Sequence, residues 1–343
     1  MRPAQILTVL DREFTSTREG HHTPVMLWGP PGVGKSQMVV QVAVRNRVPV
    51  IDIRLSQMEP SDLRGIPFRS GELVEWAVPA ILPDADRHGL EGMLFLDEIT
   101  SAPPSVSAAA YQLILDRRLG EYQVPDGWAI FAAGNRQGDR GVTYSMPAPL
   151  ANRFSHYEVS VNLDDWAVWA YRNHIDERII AFLRFRPDLL FDFNPEHNPV
   201  AFPSPRSWEF SHRALHKFAD HPNLLQGGLE ACVGKAAGVE LFAFIQSVEN
   251  LPDIDAIARG ESRECPAEID LQYAVATSLV TRAIRADGDA EMLGHILDYA
   301  SVFKQREMGV MLVSDLHRAT GAKLFAVPQF ANWAEQIGDI LVT

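Results

Sequence analysis

The sequence predicts an α/β chain, with a helix-covered parallel sheet over the first 160 residues and an all-helical remainder. Three observations carry this. Five short apolar runs alternate with helical stretches up to residue 162. Strand signals then stop. A glycine-rich loop also joins the first apolar run to the next helix, a junction suited to holding anions.

The elements follow in chain order. Residues 1–23 open with a short amphipathic helix whose Ile6, Leu7, Leu10 and Phe14 share one face. Pro24-Val25-Met26-Leu27-Trp28 reads as a buried strand, and 37–45 as a helix. Runs 48–55, 93–96, 129–133 and 156–161 supply strands two to five. Beyond them, 164–185, 207–220, 234–248 and 270–286 read as helices, and 191–205, with four prolines, as a loop. Trp166, Trp169, Tyr171 and Phe182 fall at loose helical spacing and suit a helical core better than a stacking platform. The expected segments are an α/β core over 1–160, a helical domain over 161–260 and a helical extension over 261–343.

Composition narrows the function classes. The 343 residues are 46% hydrophobic and 22% charged, ordinary for a globular chain with a sizeable core. Against 44 acidic residues stand 31 Lys and Arg, a net charge of −13 that disfavours bulk binding to nucleic acid or membrane. Cys232 and Cys265 have no metal-ligand spacing and read as free thiols. The N-terminal residues lack the pattern of a signal peptide, and no apolar run approaches a membrane span. A soluble, cytoplasmic protein is expected. His21-His22 lacks nearby partners for a metal and reads as a solvated loop.

Gly29-Pro30-Pro31-Gly32-Val33-Gly34-Lys35-Ser36 fits G-x-x-x-x-G-K-[ST] at every position, between a strand and a helix. Glycines let backbone N–H groups turn inward around phosphate oxygens. Lys35 would reach the β- and γ-phosphates, and Ser36 would give its hydroxyl to Mg²⁺. A second apolar strand ends in Asp97-Glu98. Asp97 would hold Mg²⁺ through its water shell, and Glu98 would orient and deprotonate an attacking water. A protein that only binds nucleotide has no need of that second acid.

Asn135 ends a third buried run, where its amide could bond the γ-phosphate or the lytic water; a Gly134-Asn135 turn is the competing reading. Arg153, just before the fifth strand, is a candidate arginine finger, or a cap on helix carbonyls. Arg206 lies in the first turn of a helix, where the dipole disfavours a cation. That placement points to an anionic partner or a surface salt bridge.

Together these residues resemble the AAA+ superfamily, and within it the MoxR-like ATPases. Residues 29–36 are similar to Walker A, 94–98 to Walker B, Asn135 to sensor 1, Arg153 to the arginine finger and Arg206 to sensor 2. The resemblance implies a five-stranded parallel sheet ordered 5-1-4-3-2 with a helical lid. It implies ATP and Mg²⁺ as cofactors and hydrolysis to ADP and phosphate. It also implies a hexameric ring with ATP between neighbours, Arg153 acting in trans and Arg206 reporting the nucleotide state. Residues 58–82, with a hairpin at Ser70-Gly71, resemble the helix-2 insert, and 118–128 the hairpin before sensor 1. Both positions also suit ordinary surface hairpins. Members of this family work with a protein carrying a von Willebrand factor A domain and remodel a protein client. The alternative on the same core is a nucleic-acid motor or restriction-type translocase, against which the charge of −13 counts.

Overall fold

The apolar runs become strands of a parallel sheet, whose inner members are covered on both faces and need no polar side. The computed structural model describes residues 1–136, 138–139, 144–194, 196 and 200–338. The chain divides into two compact units, Met1–Asn162 and Leu163–Thr343.

The strands of the first unit are β1 (Val25–Trp28), β2 (Val50–Arg54), β3 (Ile66–Ser70), β4 (Leu73–Ala77), β5 (Glu91–Asp97), β6 (Arg118–Leu119), β7 (Tyr122–Gln123), β8 (Gly127–Gly134) and β9 (Ser155–Glu158). Five form a parallel sheet in the order β2-β5-β8-β1-β9. Numbered by their own order along the chain and taken from the β9 edge, they run 5-1-4-3-2, the expected arrangement. The helices are α1 (Pro3–Ser16), α2 (Lys35–Asn46), α3 (Pro60–Arg64), α4 (Ala85–His88), α5 (Pro104–Asp116) and α6 (Ala148–Ala151). Alternation along β5 explains the two layers. Leu94 and Leu96 join Met26, Ile130 and Ala132 in a core closed by Val106, Ala109, Ala110 and Leu113 of α5. α1 buries Ile6, Leu10 and Phe14 and packs on α2.

Two hairpins interrupt this plan at the expected places. β3 and β4 pair antiparallel around Gly71, which takes φ +63°. Gly65 closes the base of that hairpin at φ +84°; a Cβ there would stand 1.9 Å from the Ala77 carbonyl oxygen, so no other residue fits. Its Ile66, Phe68, Leu73, Val74 and Trp76 are exposed. The β6–β7 hairpin is held by Arg117, whose guanidinium donates to the carbonyls of Pro125 (2.8 Å) and Trp128 (2.7 Å).

The second unit is helical among its described residues: α7 (Leu163–Arg172), α8 (Glu177–Phe185), α9 (Pro205–Lys217), α10 (Pro222–Val233), α11 (Lys235–Ser247), α12 (Ile254–Ala258), α13 (Ile269–Arg285), α14 (Ala290–Ala300), α15 (Arg306–Thr320) and α16 (Pro328–Gly338), with short 3₁₀ turns between some of them. The single helix expected over 164–185 breaks in two. His174 takes φ +54°, and the Asp176 side chain then caps α8 by accepting from Arg178 N–H. Trp166, Tyr171 and Phe182 are buried there. Helices beyond 260, expected as a separate extension, belong to the same compact unit as α7 and α8. The reason is α13, which packs on both α8 and α15 and buries Leu271, Val275, Leu279 and Val280. Within the expected loop 191–205, residues 195 and 197–199 lie outside the described residues. No helix among the described residues is long and apolar enough to cross a membrane.

Candidate functional site

β1 ends at Trp28 and α2 begins at Lys35, so residues 29–34 form the connecting loop. Gly32 and Gly34 take φ +83° and +95°. Gly34 is the N-cap of α2 and supplies no side-chain acceptor, which leaves the first-turn N–H groups facing any anion held by the loop. Lys35 is buried. Its ammonium donates to the carbonyls of Gly29 (2.7 Å) and Pro30 (3.0 Å) and to Asn135 Oδ1 (3.2 Å).

The acidic pair stands at the tip of β5. Ser36 Oγ donates to Asp97 Oδ2 at 2.9 Å, so the hydroxyl of the loop and the carboxylate of the strand converge. Such hard oxygen donors suit Mg²⁺ bound with phosphates and water rather than an all-protein cage. No cluster of three or more His, Cys, Asp or Glu that could hold a metal occurs among the described residues. Glu98 takes φ +55°, and its N–H donates to Asp97 Oδ1 at 2.8 Å. Its carboxylate accepts from Ser56 Oγ. Asn135 follows the last residue of β8 and donates its N–H to Thr100 Oγ1 at 3.2 Å. Gly134 lies within β8, not in a turn; a Cβ there would come within 2.8 Å of Thr100 and Met26. The fold thus brings Lys35, Ser36, Asp97, Glu98 and Asn135 together at the C-terminal edge of the sheet, where open α/β sheets bind ligands.

Sequence reasoning missed two members of this neighbourhood, Ser56 and Asp52. Desolvation, then the charges of Asp97 and Glu98, push the Asp52 carboxyl above its usual range, against the pull of Arg54. The available signal was an acid inside the run Val50-Ile51-Asp52-Ile53-Arg54.

Arg153 follows α6 in the first unit and Arg206 lies in the first turn of α9 in the second. Both are exposed, and neither side chain makes a hydrogen bond or ion pair among the described residues. The reading of His21-His22 as a solvated loop holds for His21 alone. The His22 side chain is only 6% exposed: its Nε2 accepts from Ile130 N–H at 2.8 Å and its Nδ1 lies 3.2 Å from the Glu13 carbonyl oxygen. Burial, reinforced by the Arg117 charge, lowers its pKa to about 4.

Sheet order, phosphate loop and strand-end acids together define an AAA+ P-loop fold. Residues 24–154 match the family described as AAA domain (dynein-related subfamily). A stretch of 146 residues, 40% of this chain, is 30% identical to Midasin of Giardia intestinalis and spans 3% of that protein's length. Among solved structures, the RuvB Holliday junction branch migration motor of Thermotoga maritima aligns at a TM-score of 0.37 and 15% identity, over 98% of this chain and 87% of that one. A candidate ATPase of Cytophaga hutchinsonii aligns at a TM-score of 0.34 and 13% identity, over 96% and 79%.

Proposed function

We propose that the chain is an ATP-hydrolysing AAA+ protein of the MoxR-like kind. It works as a ring of about six copies that remodels a protein client, with a von Willebrand factor A domain protein as partner. The observation that carries this reading is the convergence of Lys35, Ser36, Asp97, Glu98 and Asn135 on one sheet edge beside a phosphate loop.

The residues have the following work. The N–H groups of residues 29–36 cradle phosphate oxygens, and Lys35 exchanges its loop carbonyls for the β- and γ-phosphates. Ser36 and Asp97 hold Mg²⁺, which when bound neutralises charge developing on the phosphates. Glu98 leaves Ser56 and takes the proton of the attacking water. Asn135 orients that water. Arg153, exposed on its own subunit, reaches the γ-phosphate of a neighbour, and Arg206 reports the nucleotide state to the helical unit. The apolar β3–β4 hairpin is the surface offered to an unfolded or partly folded client.

The test is ATP hydrolysis against protein concentration for wild type, Glu98→Gln and Arg153→Ala, and for Arg153→Ala mixed with excess Lys35→Ala. The rate per subunit is expected to rise with concentration. Each single change abolishes it, and the mixture regains it because the lysine variant lends its arginine to an intact site. Equal activity in the dilute monomer, with Arg153→Ala silent, sinks the ring reading.

A further inference from the structure

The strand that flanks the phosphate loop also reaches the turn carrying Arg153. His156 on β9 lies opposite Met26 of β1 in the parallel register, and Trp28, two residues along, shares its face. The Trp28 indole N–H donates to His156 Nδ1 at 2.9 Å, with the rings stacked at 5.9 Å and 21°. Nε2 of the same imidazole lies 2.8 Å from the Ala151 carbonyl oxygen. An indole nitrogen can only donate. Nδ1 must therefore accept, which puts the proton on Nε2 and makes it the donor to Ala151.

The two ends of this bridge matter. Trp28 adjoins Gly29, the first residue of the phosphate loop, and its carbonyl accepts from Val159 N–H at 2.8 Å. A Cβ on Gly29 would stand 3.3 Å from the oxygen of Val159, the residue after β9, so the chain leaving β9 buttresses the base of the loop. Ala151 ends α6, two residues before Arg153, whose own N–H donates to the Leu150 carbonyl at 3.0 Å. One imidazole thus ties the start of the phosphate loop to the turn that presents Arg153.

We infer that His156 is a positioning residue: through Trp28 and Ala151 it holds the Arg153 turn in register with the phosphate loop, and so sets the arginine that one subunit offers to its neighbour. The inference rests on the proposed role of Arg153 in a shared site. It differs from simple edge packing in one respect. Loss of the bridge weakens a subunit as arginine donor while sparing its own nucleotide site.

The experiment separates those roles by mixing full-length variants and measuring ATP hydrolysis. Donors carry Lys35→Ala and acceptors carry Arg153→Ala. Adding His156→Phe, which keeps a ring but loses both hydrogen bonds, to the donors should cut the restored rate at least about tenfold, since small misplacements of a reacting group have effects of this size. Adding it to the acceptors instead should leave the rate within about twofold. His156→Gln, whose amide can still donate to the Ala151 carbonyl, recovers most donor activity, and Trp28→Phe weakens donors in the same sense. Equal restoration by both donors overturns the inference and leaves the shared site standing. Loss in donors and acceptors alike, or a fall in melting temperature that accounts for it, assigns His156 to packing and also overturns it. If the unmodified donor and acceptor restore nothing, the shared-site reading itself fails, and the role of His156 fails with it.

Discussion

In the first unit, the charged groups of interest stand at strand ends and loops, and each has a contact it can exchange: Lys35 with loop carbonyls, Glu98 with Ser56, Arg153 with solvent. In the second unit, Arg184 is buried among helices, 2.6 Å from Asp164 and 2.5 Å from Asp315. Arg318 joins the same two acids at 3.0 and 3.3 Å. Burial disfavours the Arg184 charge, and the two carboxylates more than offset it, so its pKa stands above the usual value. The lesson is that charge serves two ends here. Groups at loops and strand ends with exchangeable partners can turn toward a ligand. A buried network whose Arg184 amino groups are both paired with carboxylates cannot turn, and it holds α7, α8 and α15 in one arrangement.

The contrast can be broken most decisively at Glu98. Glu98→Gln should lower ATP hydrolysis by about 10²–10⁴-fold while nucleotide binding and amide exchange stay unchanged. A fall in stability instead would place Glu98 with the structural charges. Arg184→Ala should do the reverse. It leaves the buried Asp315 with Arg318 alone, 3.3 Å away, and amide exchange of α7, α8 and α15 should quicken by the equivalent of up to about 3–5 kcal/mol. An effect below about 1 kcal/mol would mean the network is ornamental.

His22 sharpens the comparison, because it is a buried titratable group within the first unit. Neutral, it donates through Nδ1 to Glu13 and accepts at Nε2 from Ile130; protonated, it would set one N–H against another. Its folded pKa of about 4 lies below the ordinary 6.5. The unfolded chain therefore binds the proton more readily. The stabilisation is complete above about pH 6.5 and is lost as pH falls to about 4, a total of about 3 kcal/mol. Urea unfolding of wild type and His22→Gln at pH 7 and pH 4.5 checks this; parallel pH dependences would refute it. The smallest effect belongs to Ser56→Ala. Freeing Glu98 from a competing hydrogen bond should raise basal hydrolysis about threefold, and a fall would show that Ser56 helps hold the active position.

Much of the first unit was legible because its signals are local. The spacing of Gly29, Gly32, Gly34 and Lys35 states the loop, and apolar runs that end in Asp97, Glu98 or Asn135 state which strand tips face it. What escaped depends on register. Trp28 and His156 are 128 residues apart and meet only because β1 and β9 pair. Asp52 reads as an acid in an edge strand until β5, with Phe95 opposite it and Asp97 opposite Arg54, brings the Asp97 charge within reach. His22 looks like half of a solvated pair, since nothing nearby in the sequence announces that Ile130 N–H will need an acceptor. In the second unit, the break at His174 hides inside a continuous helical pattern.

The backbone at Glu98 has a consequence for anyone selecting variants. A left-handed conformation at φ +55° costs a residue with a Cβ about 1 kcal/mol, a cost that glycine escapes and asparagine largely tolerates. A library screened only for heat resistance would therefore drift toward glycine or asparagine at position 98. Its winners would be sturdier proteins with a sound phosphate loop, intact strands and no base to draw a proton from water.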